Sequence, residues 1–151
     1  MHNFFEFKNE SPIWRPLTKK ELDRIYNSTK TNATKGTGGG KLYSAYIKNG
    51  YTKEEAKKLC NSKEFTITRD DLQNIWMQQQ GKCDDSNIQI DTKYLFRPYN
   101  QHSLAPSVDR INGDVGYVKG NIRFVLRGFN KFRGNMAIDE WNEFKSKIKF
   151  G

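Results

Sequence analysis

The chain has 151 residues, with 26 Lys and Arg against 17 Asp and Glu, and a formal net charge of +9 at pH 7. This length allows one domain with a hydrophobic core, or a compact unit with an appended arm, and argues against two large domains. The charge predicts attraction to polyanions, with nucleic acid as the first partner to consider. No apolar run reaches about 18 residues, and the first residues lack the pattern of a secretory signal. We therefore expect a cytoplasmic protein without a membrane partner.

Three segments carry the signature of a helix start, a Thr followed three residues later by an acid. The pairs are Thr18 with Glu21, Thr52 with Glu55, and Thr68 with Asp71. The third pair precedes the clearest helical pattern of apolar residues. We expect a helix there from Thr68 to Gln80 that ends before Gly81.

The stretch from Thr29 to Gly40 is rich in Thr, Lys, Asn and Gly, and it predicts a flexible loop. The following stretch to Cys60 predicts two short helices joined by a turn at Asn49-Gly50. On the second of these helices Lys53 and Lys57 share a face that can lie on a phosphate backbone. A solvated helix face is the alternative for these lysines.

Four aromatic residues are expected in the core: Trp76, Phe124, Trp141 and Phe144. The aromatic run Phe4–Phe7 is expected to pack an N-terminal arm onto the domain. Apolar residues at helical spacing predict a closing helix over Ile138 to Phe150.

The segment between Pro106 and Arg133 places a carboxylate, asparagines and several cations within a short distance in sequence. Its pattern predicts one strand over 107–111, a second over 121–125, and a helix that begins near Leu126. This order brings Asn130, one turn inside the helix, toward Asp109 on the first strand. A carboxylate and an amide carbonyl are oxygen ligands that suit a hard divalent cation such as Mg²⁺, so both are predicted metal ligands.

The same segment contains a long turn that begins at Asn112-Gly113 and ends before Asn121. The side-chain amide of Asn121 is expected to join this turn to the backbone of the first strand. Several cations surround the predicted metal position, and guanidinium groups match phosphate well. The cations predicted to contact nucleic acid are Arg110, Lys119, Arg123, Arg127, Lys131 and Arg133, together with Lys53 and Lys57.

Three parts of the segment resemble a known family: SVDRI at 107–111, GYVKGNI at 116–122 and NKFR at 130–133. They resemble the ββα-metal finger of HNH-type (His-Me finger) endonucleases, especially the small phage-encoded ones. The resemblance covers roughly Thr68 to Phe150. It implies that Asp109 is the metal carboxylate, Asn121 the middle Asn of the motif, and Asn130 the metal ligand on the helix. It also implies cleavage that leaves 5′-phosphate and 3′-hydroxyl ends.

Relatives in this family carry a zinc-binding cysteine at the position that Cys83 resembles. Ser86 and Phe129 stand where further cysteines are expected, so the resemblance implies that structural zinc has been lost. Cys60 and Cys83 have no CxxC partner, and free thiols in a reducing compartment are expected. Asp84 and Asp85 are adjacent and should diverge, so we expect no second metal site there.

The family's general base is a His beside the metal-binding Asp, and this chain has Arg110 at that position. A related branch places the His three residues after the Asp, where this chain has Asn112. Three explanations remain open. His102 can act as base from the preceding loop, since a His pKa of about 6.5 suits proton transfer at neutral pH. Metal-bound hydroxide oriented by Arg110 or Tyr117 can attack without a side-chain base, or the site has decayed and only binds DNA.

Taken together, the sequence predicts a mainly helical α+β fold with a small ββα-metal finger near the C-terminus. Residues 1–66 are predicted to form a helical DNA-binding and specificity region with a flexible loop over 29–40, and residues 67–151 the HNH-like nuclease domain. The predicted function is a DNA endonuclease dependent on Mg²⁺ or Mn²⁺ and without zinc. A DNA-binding protein with a decayed finger and a basic structural nucleoprotein component are the alternatives. If the protein is phage-encoded, the expected location is the cytoplasm of the host cell. The target, the formation of a homodimer and the biological role are left open.

Overall fold

The computed structural model describes residues 14–35, 41–60, 62–99 and 101–148. Within these ranges it contains six α-helices and one two-stranded antiparallel sheet. In chain order the elements are α1 (Lys19–Lys35), α2 (Lys41–Lys48), α3 (Lys53–Leu59), α4 (Arg69–Gln78), β1 (Pro106–Arg110), β2 (Ile122–Leu126), α5 (Arg127–Arg133) and α6 (Ile138–Lys147), with a single 3-10 turn at Thr92–Leu95. This confirms the predicted fold class. None of the described helices is long and apolar enough to cross a membrane.

The three predicted helix starts are confirmed, and each forms a reciprocal capping box. At α1, Thr18 Oγ1 accepts a hydrogen bond from the backbone N–H of Glu21 at 3.2 Å, and Glu21 Oε1 accepts one from the N–H of Thr18 at 2.8 Å. The same exchange begins α3 and α4, between Thr52 and Glu55 and between Thr68 and Asp71. Each box satisfies two backbone donors that the first helical turn cannot satisfy itself.

Helix α4 ends before Gly81, as the sequence predicts, although two residues earlier than the predicted Gln80. Gln80 and Gly81 follow the helix with φ angles of 53° and 66°, which terminate the helical path. The helix buries Leu72 and Trp76, which lie one turn apart on the same face.

Helix α1 corrects the loop that the sequence predicts from Thr29, because the helix continues to Lys35. Ile25, Thr29 and Ala33 are spaced four residues apart, and all three are buried. The Thr29 hydroxyl donates to the backbone oxygen of Ile25 at 2.7 Å, so its burial leaves no unpaired group. Composition alone misses this helix because Thr and Asn are weak helix formers, whereas burial of one face stabilises it. Residues 36–40 lie outside the described residues.

The pair of short helices predicted between Lys41 and Cys60 is confirmed as α2 and α3. Gly50 adopts a φ of 90° in the turn between them, a conformation that favours glycine. Ala56 is the buried residue of α3, whereas Lys53 and Lys57 are exposed. The side chains of α3 therefore face mainly solvent.

The hairpin and α5 form the predicted ββα unit, with each strand shifted by one residue from its predicted bounds. Asp109 lies opposite Arg123 in the antiparallel register, and Val108 lies opposite Phe124. All five residues of β2 are buried. Helix α5 begins directly after β2 and packs against both strands. The hairpin therefore has one strand in the core and one that presents polar side chains to α5.

The outer edge of β2 is closed by side chains from the end of α4. The amide of Gln79 donates to the backbone oxygen of Phe124 at 2.9 Å and accepts from its N–H at 2.9 Å. The N–H of Leu126 donates to Cys83 Sγ at 3.3 Å. These contacts replace a third strand, and a two-stranded sheet thereby keeps its buried backbone groups paired.

One hydrophobic core extends across the boundary predicted between residues 66 and 67. Leu17 and Ile25 belong to the same buried cluster as Leu72, Trp76 and Phe124. The Trp76 and Phe124 rings meet edge to face with centroids 5.3 Å apart. In the described part of the chain, the two predicted regions therefore share a core.

Three of the four aromatic residues predicted for the core are fully buried, namely Trp76, Phe124 and Trp141. Phe144 is only half-buried, at the outer side of α6. The predicted arm at Phe4–Phe7 and the end of the closing helix at Phe150 lie outside the described residues.

Candidate functional site on the ββα unit

Ser107 and Asp109 lie on the face of β1 that α5 covers, since residues two apart on a strand share a face. Asn130 Nδ2 donates to Ser107 Oγ at 2.8 Å, and Arg133 Nη1 donates to Asp109 Oδ2 at 2.6 Å. Asn130 and Arg133 are three residues apart and therefore neighbours on α5. One strand–helix interface thus contains both predicted metal ligands.

Asp109 is buried and held by two guanidinium groups. Its Oδ2 accepts from Arg123 at 2.9 Å and from Arg133 at 2.6 Å. Charge-assisted hydrogen bonds of this kind fix the orientation of a carboxylate. Oδ1 of Asp109 receives no hydrogen bond from the described residues. One oxygen of the carboxylate is therefore used for positioning and the other is left for a further ligand.

Asp85 is the second buried carboxylate of this network, with 1% of its side chain exposed. Its Oδ1 accepts from Arg123 Nη1 at 2.6 Å, Trp141 Nε1 at 3.0 Å and Lys145 Nζ at 2.6 Å. Burial raises the pKa of Asp85, but the hydrogen bonds from Lys145 and Arg123 outweigh it and hold the pKa below its ordinary value. Asp85 is therefore ionised at neutral pH and ties α6 to the hairpin.

Arg123 connects the two buried carboxylates and also contacts Asp84 at 3.2 Å. Burial lowers the pKa of Arg123, but Asp85 and Asp109 together raise it above its ordinary value. The network consists of three cations and three carboxylates: Arg123, Arg133, Lys145, Asp84, Asp85 and Asp109. Its charges cancel, and Asp84, with 50% of its side chain exposed, lies at its solvent edge. The pairing makes burial of the other five groups tolerable.

Asn130 is half-buried, and its amide nitrogen is occupied by the hydrogen bond to Ser107. An amide that donates on one side presents its carbonyl oxygen on the other. The hydrogen bond to Ser107 therefore orients the oxygen that the sequence predicts as a metal ligand.

Asn121 ties the long turn to the strand, as its position after the turn predicts. Its Oδ1 accepts from the N–H of Asn112 at 2.9 Å, and its Nδ2 donates to the backbone oxygens of Asn112 at 3.1 Å and Gly116 at 2.9 Å. The side chain is buried and its polar atoms are engaged within the protein. Asn121 therefore positions the turn and, in this arrangement, has no group left for a substrate.

Gly116 allows the turn to lie directly against the segment before α4. A Cβ at this position would come within 2.4 Å of the backbone oxygen of Glu64. The next residue, Tyr117, donates to that same oxygen at 2.7 Å, and its own oxygen accepts from Thr66 at 3.0 Å. Any side chain at position 116 would push the turn away from Glu64.

Arg110 follows Asp109 on β1, and it supports the turn. Its Nη1 donates to the backbone oxygen of Gly113, and its guanidinium lies 5.3 Å from the centre of the Tyr117 ring. Burial raises the pKa of Tyr117, although Arg110 opposes the increase. Tyr117 is therefore neutral at neutral pH and cannot take up a proton.

His102 is exposed in the loop that precedes β1. Its Nδ1 accepts from the backbone N–H of Leu104 at 3.0 Å, and its ring lies 4.7 Å from that of Tyr94. No contact joins His102 to Asp109 or Asn130 among the described residues. With Nδ1 as acceptor, a neutral imidazole carries its proton on Nε2 and cannot accept another there.

The predicted phosphate-binding cations fall into two groups. Lys53, Lys57, Lys119 and Lys131 are exposed. Arg110 and Arg127 are half-buried, and they donate to Gly113 and Gln101 respectively. Arg123 and Arg133 are buried, and their donors bind carboxylates and backbone oxygens within the protein. This corrects the prediction for Arg123 and Arg133, because a phosphate cannot reach buried groups whose donors are already used.

Cys83 is buried, and its Sγ accepts from the backbone N–H of Leu126. Ser86 Oγ accepts from the N–H of Ile88 at 3.3 Å. Phe129 packs against Trp141 with ring centroids 6.4 Å apart. Within the described residues, no three or more His, Cys, Asp or Glu side chains form a group that could hold a metal ion.

Comparisons with models of protein families, with curated proteins and with solved structures found no match to this chain. The arguments for function therefore depend on the geometry of the ββα unit and its neighbours.

Proposed function

We propose that the protein binds DNA and hydrolyses its phosphodiester backbone at the ββα unit, with one Mg²⁺ or Mn²⁺ ion held by Asp109 and Asn130. One observation carries the proposal. On the same strand–helix interface, each side chain uses one atom for a hydrogen bond that orients it and keeps an oxygen for another ligand. Oxygen ligands oriented by neighbouring groups are what a hard divalent cation requires.

The chemistry of these two residues fits a cation that retains water. One carboxylate oxygen and one amide oxygen leave most coordination positions to water and to a phosphate, which is the usual binding of Mg²⁺. When bound, such an ion supplies charge to the phosphoryl oxygens and to the departing 3′ oxygen. The protein's own residues orient the ligands: Ser107 for Asn130, and Arg123 with Arg133 for Asp109.

The exposed lysines support DNA as the substrate. Because the buried network is neutral, it does not compete for phosphate, and the positive surface comes from side chains outside it. Lys119 and Lys131 are exposed on the ββα unit, and Lys53 and Lys57 are exposed on α3. Such contacts bind the backbone of DNA without reading its sequence.

The proposal assigns no side chain as the general base. Nδ1 of His102 is occupied by Leu104, and the raised pKa of Tyr117 keeps its phenol protonated. We therefore expect His102→Ala to leave the rate of cleavage unchanged.

A second function, DNA binding without cleavage, is supported by the pairing of Asp109 with two guanidinium groups. This pairing already balances the charge of the carboxylate and gives it a structural role. A cation at Oδ1 then has to bind beside two positive groups, which is unfavourable unless a phosphate is present. The two functions make different predictions for Asn130.

The test is nicking of supercoiled plasmid with Mg²⁺, Mn²⁺ or EDTA by the wild type, Asn130→Ala and Ser107→Ala. Ser107→Ala is the matched control, because it removes the same hydrogen bond and keeps the amide oxygen. We expect metal-dependent nicking that Asn130→Ala lowers by at least about tenfold, with a smaller loss for Ser107→Ala. Asp109 is a poor test because its removal leaves the buried guanidinium of Arg133 without a carboxylate and takes one of the carboxylates from Arg123, which destabilises the fold.

Two outcomes would contradict cleavage at this site. Equal nicking by the wild type and Asn130→Ala would place the active site elsewhere. Absence of nicking with every metal, together with tight, salt-sensitive DNA binding by both proteins, would favour the second function. Circular dichroism of each variant verifies that it is folded.

A further inference from the structure

We propose that the outer surface of α5 and α6 is a two-fold interface with a second copy of this chain. We call this surface the aromatic face. It consists of two aromatic residues and three charged residues beside them: Phe132, Phe144, Glu140, Glu143 and Lys147. The inference goes beyond the proposed function, because it concerns assembly and requires neither metal nor DNA.

The centre of the aromatic face is a rigid, exposed ring. Phe132 is 60% exposed, the largest fraction among the large hydrophobic side chains of the described residues. Its ring is held from behind by Phe144 and Trp141, with centroids 5.6 Å and 6.1 Å away. An aromatic side chain that is already ordered loses little conformational entropy on association. Together with the half-buried Phe144, this ring gives the outer side of α5 and α6 a continuous aromatic surface.

The charges beside the rings are available to a partner. Glu140, Phe144 and Lys147 share one side of α6 by their spacing, and Glu143 lies beside them. Glu143 and Lys147 are four residues apart and of opposite charge, yet neither forms an ion pair with a described residue. Lys145, by contrast, points inward to Asp85. The face therefore presents unpaired charges of both signs.

The order of these charges favours a second copy over nucleic acid. The carboxylates Asp139, Glu140 and Glu143 precede Phe144 on α6, and Lys147 follows it. The carboxylates would repel a polyanion. In a two-fold pair with antiparallel α6 helices, the acidic part of each helix meets Lys147 of the other, and the two Phe132 rings meet near the axis. Such a surface is self-complementary, as an isologous interface requires.

The aromatic face and the candidate metal site lie on different sides of α5. Phe132 is two residues from Asn130, or roughly 200° around the helix. Asn130 and Arg133 contact β1, whereas Phe132 contacts α6. Association through the aromatic face would therefore leave the ββα site uncovered.

The test is the mass in solution, measured by light scattering and sedimentation over a wide range of concentration. We expect the wild type to rise from 17.6 kDa toward twice that mass. Phe132→Ser should raise the dissociation constant at least about tenfold. The matched control is Ile88→Ser, which changes another exposed side chain outside the face and should have no effect.

Charge-reversal variants test whether the two α6 helices of the pair are antiparallel. Glu143→Lys and Lys147→Glu should each weaken self-association by about tenfold, because each creates two like-charge contacts across the two-fold axis. Mixing the two single variants should restore association, since two lysines of one chain then face two glutamates of the other. The double variant Glu143→Lys with Lys147→Glu should also associate as the wild type does.

A wild type that stays at 17.6 kDa at the highest concentration would overturn the inference. So would a dimer that Phe132→Ser leaves unchanged, or folded single charge variants that do not associate when mixed. Plasmid nicking and DNA binding measured on the same samples separate this outcome from failure of the proposed function, because neither readout requires a dimer.

Discussion

Two arginines of the ββα unit and two lysines of α3 each add one positive charge to the protein, but their surroundings differ. Arg123 and Arg133 are 6% and 4% exposed and bind groups inside the protein. Lys53 and Lys57 are exposed on a short helix with one buried residue. A cation that balances a buried carboxylate is not available to DNA, whereas one in solvent is. Net charge therefore predicts a polyanionic partner but does not locate the surface that binds it.

The chemistry of arginine and lysine explains why the first pair of cations is buried and the second is exposed. The guanidinium of Arg133 donates to Asp109 and to the backbone oxygens of Arg110, Ile111 and Met136 at the same time. Only a planar group with donors in several directions can do this, and Arg is also less strongly hydrated than Lys. Lysines on an exposed helix keep their ammonium groups in water.

The largest effect is expected for Arg133→Met. Removal of the guanidinium takes one of its two cations from Asp109 and leaves three backbone oxygens without their donor. Breaking a buried pair in this way costs about 3–5 kcal/mol. Lys57→Met is the control and should change the free energy of unfolding by no more than about 0.5 kcal/mol. Urea unfolding at neutral pH measures both. Equal effects would show that burial does not separate the two groups of cations.

Glu21 offers an intermediate case, a buried carboxylate whose partner Arg15 is 53% exposed. Burial raises the pKa of Glu21, but hydrogen bonds from Arg15 and Thr18 outweigh it and lower the pKa from 4.5 to about 2. Because the folded state has the lower pKa, the stabilisation is present above pH 4.5 and is lost as the pH falls toward 2. Because Arg15 is 53% exposed, solvent screens the pair, and the stabilisation is on the order of 2 kcal/mol.

Glu21→Gln should therefore be less stable than the wild type at pH 7, and the difference should shrink as the pH falls below the ordinary Glu pKa. Thermal unfolding of both proteins across this range measures the change. A difference that stays constant with pH would show that the charge of Glu21 does not contribute, and that the loss comes from packing or helix capping.

The turn of the ββα unit is stabilised by a neutral side chain. Asn121→Ala should cost about 1–2 kcal/mol, because it leaves buried backbone groups of the turn unpaired. Asn112→Ala is the control, since the side-chain oxygen of Asn112 accepts only from the exposed Asp114. Denaturant unfolding should show a clear loss for Asn121→Ala alone. A similar loss for both would contradict the assigned role of Asn121.

The smallest change in stability is expected for the double substitution of Lys53 and Lys57 by Ala. Its effect on unfolding should stay within about 0.5 kcal/mol. If both lysines contact phosphates, the slope of log K against log salt for DNA binding should fall by about 1.8. Lys93→Ala, outside the predicted set, should leave the slope unchanged. An unchanged slope in the double variant would place the DNA-binding surface elsewhere.

Much of the local structure could be predicted from the sequence, because its causes are local. The three capping boxes need only a Thr and an acid three residues apart. The division between the two short helices α2 and α3 could be predicted because Gly50 marks the turn between them. The predicted strands already place Asp109 opposite Arg123, although we assigned Arg123 to phosphate. The predicted register therefore already implied that Asp109 and Arg123 are neighbours across the hairpin.

The rest of the network could not be predicted in the same way. Asp85 is far from Arg123 in sequence, and farther still from Trp141 and Lys145, so only the packing of α6 brings them together. The extension of α1 to Lys35 was also missed, because burial of Thr29 and Ala33 outweighs weak helix propensity.

The sequence by itself determined the positive charge, the helix starts, the hairpin and the helix that follows it. It placed Asp109 and Asn130 on neighbouring elements, because hydrogen bonds and turns act over a few residues. The packing of the folded chain sets which charges are buried, which atoms of Asp109 and Asn130 are already hydrogen-bonded, and which aromatic ring faces solvent. Burial depends on all the elements that pack around a side chain, and these come from distant parts of the chain.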